Sequence, residues 1–384
     1  MQKLRIFSIG LAIFAMLFGA GNVVFPLGLG RDVGSQVFFA VLGLVITGVF
    51  VPILGLISAA LFDGDYKKFL NMMGSIPGSL VAMVCMLLIG PFGATPRCVT
   101  LAYAAIKWHI PELSLFYFSL GIAIIIFLAT IKKRYVVELL GKFLGPIKLL
   151  LLLAIVILGL FAVTTPPPSA FTSFESFTKG LHEGYWTLDL LATIFFSGLI
   201  IASIKAQNEK DGSLTSKQIV TLGLKAGIVG GLLLGVVYTG FCLLAAKYSL
   251  QVADISKDQL LSALATLVLG ERASILANTT MAIACLTTAI ALTAVFADYL
   301  THEIFLGRFK YIHALLITVT LTFGMTNLGF TGIAQVIEPF AVICYPALIA
   351  LSLANVAYAL WGFKYIKSVV FTTFGVTLFM HFLK

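Results

Sequence analysis

Charge is what this chain has least of. Only 11% of its 384 residues are Asp, Glu, Lys or Arg, against 60% hydrophobic, and the mean hydropathy is +1.07. A soluble domain of that composition would lack the polar surface to cover its core, so soluble architectures are excluded. An outer-membrane barrel is excluded as well. Its strands would alternate in weak segments of about ten residues, whereas apolar runs of about 20 recur here along nearly the whole length. Cysteine is sparse and unpaired: Cys85, Cys98, Cys242, Cys285 and Cys344 each sit inside an apolar run, which excludes a disulfide framework or zinc site and leaves them as small packing residues. Histidine is missing from membrane depth, since His109, His182, His302, His313 and His381 fall in loops or near span ends. An intramembrane enzyme needs a Ser/His pair or paired acids at depth, so neither an enzyme nor a cofactor is expected. The net charge of +9 is scattered over short loops beside apolar runs, where orientation accounts for it and nucleic acid does not.

What is present is a series of eleven apolar spans, near residues 6–30, 37–62, 76–106, 115–131, 143–163, 186–204, 219–246, 275–300, 312–328, 333–360 and 368–383. The first, with Lys3 and Arg5 ahead of it and small residues near Ala20, has the outline of a signal peptide. It continues through Val23, Val24 and Phe25, so it reads as a span. With the N-terminus inside, sixteen of the 25 Lys and Arg residues fall on the inner side and seven on the outer, with Arg97 and Lys148 within spans. That bias predicts a cytoplasmic N-terminus and, after an odd number of spans, an external C-terminus.

The longest external loop, 164–185, contains Pro166, Pro167 and Pro168, which favour an extended segment. It separates a five-span part, 1–163, from a second, 186–360, and leaves 361–384 as an extra C-terminal helix. Because each part has an odd number of spans, the second enters the membrane from the opposite side. Two parts sharing a fold would then be inverted repeats. The predicted fold class is an all-α polytopic membrane protein with about 11 transmembrane helices.

One stretch of the first span, FGAGNVVFP at 18–26, is a weak helix at membrane depth. An unpartnered backbone group in lipid costs several kcal/mol, so an interruption survives only where it faces protein, water or a ligand. Gly19 and Gly21 would let the backbone leave helical geometry. The amides opening the next half-helix suit a carboxylate, and the carbonyls closing the preceding one suit a small cation. Close packing of small residues is the alternative reading. The sixth span has a similar weak point at Phe196, Ser197 and Gly198, and interrupted spans in corresponding positions of two halves point to a transporter's binding site. The eighth span carries adjacent hydroxyls, Thr287 and Thr288, able either to bond to their own preceding turn or to join an oxygen shell around sodium. The third span is disrupted by Pro91, Gly93 and Pro96 beside Arg97, and Glu338 in the tenth is the other deep charge. Each charge costs roughly 2.5 to 3.5 kcal/mol at a helix centre, so both are expected to face the interior, and an Arg97–Glu338 ion pair is the hypothesis.

Several of these stretches together resemble the bacterial branched-chain amino acid:cation symporters, the LIVCS family. They are FAMLFGAGNVVFP at 14–26, GPFGATPR at 90–97, GYWTLDLLATIFFSGLI at 184–200, CLTTAIALTAVFADYL at 285–300 and CYPALIAL at 344–351. The resemblance implies a leucine-transporter-like fold of two inverted five-helix repeats, in the bacterial cytoplasmic membrane. It implies a sodium ion held by the carbonyls of Ala15, Phe18 and Ala284 with the hydroxyls of Thr287 and Thr288. The substrate carboxylate would meet amides around Ala20 and Gly21, and its amine the carbonyls near Phe18 and at 196–198. Asn22 matches a position that in some relatives helps hold a second sodium. The chain departs from the family pattern in having Ala104 where an acid is frequent, in small residues between Pro91 and Pro96, and in eleven spans where twelve are common. The resulting expectation is sodium-coupled uptake of leucine, isoleucine or valine. Proton coupling through Glu338 is the nearest alternative, and a non-transporting sensor of the same fold the next. No partner beyond substrate, sodium and bilayer is implied, and the oligomeric state is left open.

Overall fold

A computed structural model describes residues 2–131, 145–161, 165–211 and 215–383. Lys132, Lys133, Arg134, Lys142 and Lys384, which enter the charge bias above, lie outside that set, as does Thr164 at the start of the proline loop.

Backbone polar groups in lipid have no water to bond to, so each spanning segment must close its own hydrogen bonds. The described residues accordingly form helices and no strand. In chain order these are α1 (Gln2–Leu17), α2 (Gly21–Val33), α3 (Val37–Val45), α4 (Val51–Ala60), α5 (Tyr66–Asn71), α6 (Ser75–Ile89), α7 (Ala94–Lys107), α8 (Leu115–Ile131) and α9 (Gly145–Leu160). They continue as α10 (Ser173–Tyr185), α11 (Asp189–Asp211), α12 (Ser216–Lys247), α13 (Leu260–Leu269), α14 (Glu271–Tyr299), α15 (Tyr311–Thr326), α16 (Gly329–Trp361) and α17 (Ile366–Phe382).

Local chemistry sets several boundaries. Thr172 and Thr215 build capping boxes with Glu175 and Gln218, and so start α10 and α12. A π-turn at Ile46–Phe50 precedes Pro52, which has no N–H to close an ordinary helical bond. The third span breaks between α6 and α7, at the predicted Pro91 and Gly93. Gly93 is required there because a Cβ would lie 2.1 Å from the Leu88 carbonyl oxygen. Pro96 falls in the first turn of α7, where its missing N–H costs nothing.

One segment differs from the sequence reading. The stretch taken as an extended external loop is irregular around its prolines, but from Ser173 it is helical and packs along α3. Glycine makes that contact possible. A Cβ on Gly43 would lie 2.1 Å from the Phe177 carbonyl oxygen, and one on Gly180 would lie 2.0 Å from that of Ala40. These are the small-residue contacts through which membrane helices approach closely. Elsewhere α1 and α2 both lie along the long helix α12, α7 packs on α14, and α11 packs on α4.

The α3–α10 contact yields a prediction. Gly180→Ala must separate two backbones that already touch, and overpacking of this kind costs about 1–3 kcal/mol. The melting temperature of the detergent-solubilised protein should fall clearly. Gly121→Ala serves as the control, because nothing lies within 4 Å of its added Cβ. A Gly180→Ala melt as high as the control's would mean that the contact is loose.

Candidate functional site

The first span is interrupted where the sequence indicates: α1 ends at Leu17, α2 begins at Gly21, and Phe18, Gly19 and Ala20 lie between. Neither Gly19 nor Gly21 has a positive φ, so left-handed freedom is not what they supply. Gly21 supplies room. A Cβ there would lie 3.2 Å from the Trp186 carbonyl oxygen and 3.3 Å from Thr187 Cα. The first interruption thus lies directly against a second one.

That second interruption is not at Phe196, Ser197 and Gly198. All three are helical within α11, where the Ser197 hydroxyl donates to the Ile194 carbonyl at 2.7 Å. Gly198 is small because the chain passes at Gly64, whose oxygen would lie 2.7 Å from an added Cβ. The break falls upstream, at Trp186, Thr187 and Leu188 between α10 and α11, with Leu188 held at φ 62°. A left-handed leucine is rare and strained.

Asp189 opens α11 at this junction, and sequence reasoning missed it. It is 1% exposed, and three hydrogen bonds hold its carboxylate. Asn22 Nδ2 lies 2.8 Å from Oδ1 and 2.9 Å from Oδ2, and the Tyr238 hydroxyl donates to Oδ2 at 2.5 Å. Asn22 Nδ2 also reaches the Tyr238 hydroxyl, and Asn22 Oδ1 accepts from the Gly19 amide at 2.8 Å. One side chain therefore caps its own interruption and bridges to the other. Nearby, the Leu190 amide, an orphan of the new helix, donates to the Tyr345 hydroxyl of α16 at 3.1 Å. The sequence signal for Asp189 is a lone acid near the head of the apolar run at 186–204.

The two interruptions open onto one cavity. Gly19, Ala20, Gly21 and Asn22 line it from the first interruption, and Thr187, Leu188 and Asp189 from the second. Met16, Leu17, Ile89, Phe196 and Leu292 give it apolar walls, and Thr288 lies on it from α14. Phe195 is turned away and packs on Tyr66, with ring centroids 4.8 Å apart.

Of the residues tied to sodium by resemblance, Thr288 alone borders the cavity. Thr287 and Thr288 both donate to the Ala284 carbonyl, at 2.8 and 3.0 Å, which is the intrahelical pattern of membrane threonines. Phe18 is buried against Phe14 and Phe241, Ala284 is buried, and Ala15 is half-buried on α1.

The two deep charges are not a pair. Glu338 is exposed on the outer face of α16. Arg97 is 1% exposed on α7, donates through Nη1 to the Trp186 carbonyl at 3.0 Å, and also lines the cavity. Its guanidinium lies 5.1, 5.6 and 5.7 Å from the ring centroids of Phe25, Trp186 and Phe330. Position along a span tells depth but not the direction a side chain faces, and Glu338 faces out.

Known proteins share this fold. The fold matches Mhp1 in an inward-facing conformation with a TM-score of 0.65 at 13% identity, covering 98% of this chain and 89% of that one. It matches MhsT in complex with L-phenylalanine with a TM-score of 0.62 at 14% identity, covering 98% of both. The fold is therefore leucine-transporter-like. In sequence the chain is 31% identical over 358 residues to the branched-chain amino acid permease BrnQ of Bacillus subtilis (strain 168), which spans 90% of this chain and 79% of that protein. It is 30% identical over 367 residues to the branched-chain amino acid transport system 3 carrier protein of Pseudomonas aeruginosa, spanning 93% and 81%. BrnQ of Escherichia coli (strain K12) is 30% identical over 366 residues, spanning 93% and 81%. These relatives are permeases and carriers, not enzymes. A family model described as "Branched-chain amino acid transport protein" matches residues 2–383, and the chain belongs to that family.

Proposed function

We propose that this protein is a sodium-coupled symporter that takes up leucine, isoleucine and valine across the bacterial cytoplasmic membrane by alternating access, with its N-terminus in the cytoplasm. The observation that carries the reading is the meeting of two interrupted helices on one cavity with apolar walls and a threonine on the opposite side. The names of the relatives supply the substrate class.

In this mechanism the positive end of α2, at Ala20 and Gly21, receives the substrate carboxylate. The branched side chain lies on Phe196, Ile89 and Leu292, where each buried CH₂ contributes about 0.8 kcal/mol. Sodium sits between the carbonyls of Ala15 and Phe18 and the hydroxyls of Thr287 and Thr288. A hydroxyl that donates to Ala284 keeps a lone pair free for the ion, so the observed bonds are compatible with that role. The Ala284 carbonyl, which accepts from both threonines, is the least available of the five. The ion links α1 to α14, and the assembled site then binds substrate. Coupling follows because each ligand favours the conformation the other prefers. One charge crossing about 100 mV yields about 2.3 kcal/mol. A tenfold ion gradient adds about 1.4 kcal/mol, enough together for a few-hundredfold accumulation.

Asp189 favours one alternative, proton coupling. A buried carboxylate at the junction of the two interruptions is placed to take up and release a proton, a role the exposed Glu338 loses. Under sodium coupling, wild-type proteoliposomes accumulate leucine only when a sodium gradient is imposed, with or without a pH gradient. Under proton coupling, wild-type uptake runs on a pH gradient without sodium, and Asp189→Asn abolishes that dependence. Leucine that binds but is never accumulated under either gradient would instead mark a sensor.

A second prediction concerns α14. Thr288→Ala removes one oxygen from the ion's shell while leaving a good helix former, so it should raise the sodium concentration for half-maximal uptake several-fold with little change in melting temperature. Unaltered sodium dependence would take Thr288 out of the site.

A further inference from the structure

Two features of the cavity are left unused by that mechanism. Arg97 is almost wholly buried, yet it makes no ion pair with any carboxylate among the described residues, and its Nε and Nη2 have no hydrogen-bond partner. The stacked rings and the Trp186 carbonyl compensate part of its charge, but neither offers the planar pair of acceptors that a guanidinium fork matches. Asp189 is the reverse case. Its carboxylate is held by neutral donors, Asn22 and Tyr238, and no cation pairs with it among the described residues. Glu183, an acid close enough to act on Arg97, is engaged by Lys257 at 3.1 Å.

Both charges line the same cavity from different elements, Arg97 from α7 and Asp189 from the second interruption. They do not pair with each other. Buried ions of opposite sign that stay apart are costly, and a ligand carrying the complementary pair of charges cancels both costs at once.

We propose that Arg97 and Asp189 form a zwitterion clamp, Arg97 receiving the α-carboxylate of a free aliphatic amino acid and Asp189 its α-ammonium group. The inference rests on the substrate class proposed above and adds the two side chains that read its charged end. Arg97 takes the carboxylate together with the amides at Ala20 and Gly21. Asp189 supplies the acceptor for the ammonium group that the helical carbonyls at 196–198 cannot. The specificity follows from charge balance. A ligand with only one of the two charges leaves the other buried group uncompensated, so 2-oxo acids, fatty acids and amines of the same carbon skeleton are rejected although their side chains fit.

The test is equilibrium binding of radiolabelled leucine to the purified full-length protein, with competition by 4-methylpentanoate, which lacks the ammonium group, and by 3-methylbutylamine, which lacks the carboxylate. Unpairing a buried charge weakens association by about 30-fold or more, so each analogue should compete at least that much more weakly than leucine on the wild type. Asp189→Asn should then stop discriminating against 4-methylpentanoate while still rejecting 3-methylbutylamine, and Arg97→Gln should do the opposite. The wild-type comparison needs no variant and stands even where a substitution impairs folding. Competition by either analogue within about threefold of leucine, or unchanged discrimination in a folded variant, overturns the clamp. If a different amino acid replaces leucine as the tight ligand while both analogue classes are still rejected, the branched-chain reading fails and the clamp is supported.

Discussion

The structure depends on one junction, where two interrupted helices satisfy each other. A gap in a membrane helix exposes amides and carbonyls that lipid cannot solvate, and each needs a partner. Here the partner of one gap is the other. Asn22 accepts from Gly19 in its own interruption and donates to Asp189 in the second, while Gly21, having no Cβ, lets the Trp186–Thr187 backbone lie directly on it. A third interruption joins them, because α7 begins just after Gly93 and carries the Arg97 that binds the Trp186 carbonyl. Helix α12 lies along α1 and α2 and contributes Tyr238, the second donor to Asp189. Each gap would be costly alone. Interlocked, they are compatible with a stable bundle and leave polar groups facing a cavity at its centre.

The surrounding helices hold this junction through close backbone contact more than through large side chains. Gly30 approaches the Cys242 carbonyl so closely that a Cβ would lie 2.1 Å away, and Gly184 sits equally tight against Thr47. Lipid is as apolar as leucine, so burying leucine against leucine adds little here. What holds membrane helices together is dense packing and hydrogen bonding across the contact. Smooth surfaces of this kind also let helices shift as bodies, without unpacking interdigitated side chains. At the far end of α2 the joints are ionic instead: Asp32 meets Arg31 and Lys179, and Lys257 meets Glu183. These pairs are partly buried, with side-chain exposures between 10% and 37%.

Much of this was legible in the sequence, for reasons that can be named residue by residue. FGAGN was readable because Gly and Asn have no business in the middle of an apolar span unless the helix stops there. GPFGATPR was readable because proline cannot continue a helix. The second interruption was not, since none of its own residues, Trp186, Thr187 and Leu188, favours the left-handed conformation and Leu188 adopts it only because its surroundings hold it there. Phe196–Gly198 resembled a break because a glycine that makes room for Gly64 looks the same in sequence as one that ends a helix. Glu338 and Arg97 were equally deep by position, but whether a residue faces inward depends on where neighbouring helices lie. That arrangement is set by contacts between residues distant in sequence. Asp189 was missed for a related reason, because only the fold shows that α10 continues the same membrane segment and so places Asp189 in the middle of it and not at its edge.

The position of the charges bears on how binding connects to movement. Arg97 stands on α7, Asp189 at the head of α11, and Thr287 and Thr288 on α14, so the groups assigned to the ligands are spread over several elements. A substrate or ion that contacts two of them ties two elements together, and its affinity then depends on how those elements are arranged. This is the condition for coupling, because a ligand shifts a conformational equilibrium only by the difference in its affinity for the two states. A site built on one rigid helix would bind equally well in every conformation and move nothing. Distributing opposite charges over separate helices raises the cost of the empty cavity, and that same cost makes the occupied arrangement distinct from the unoccupied one.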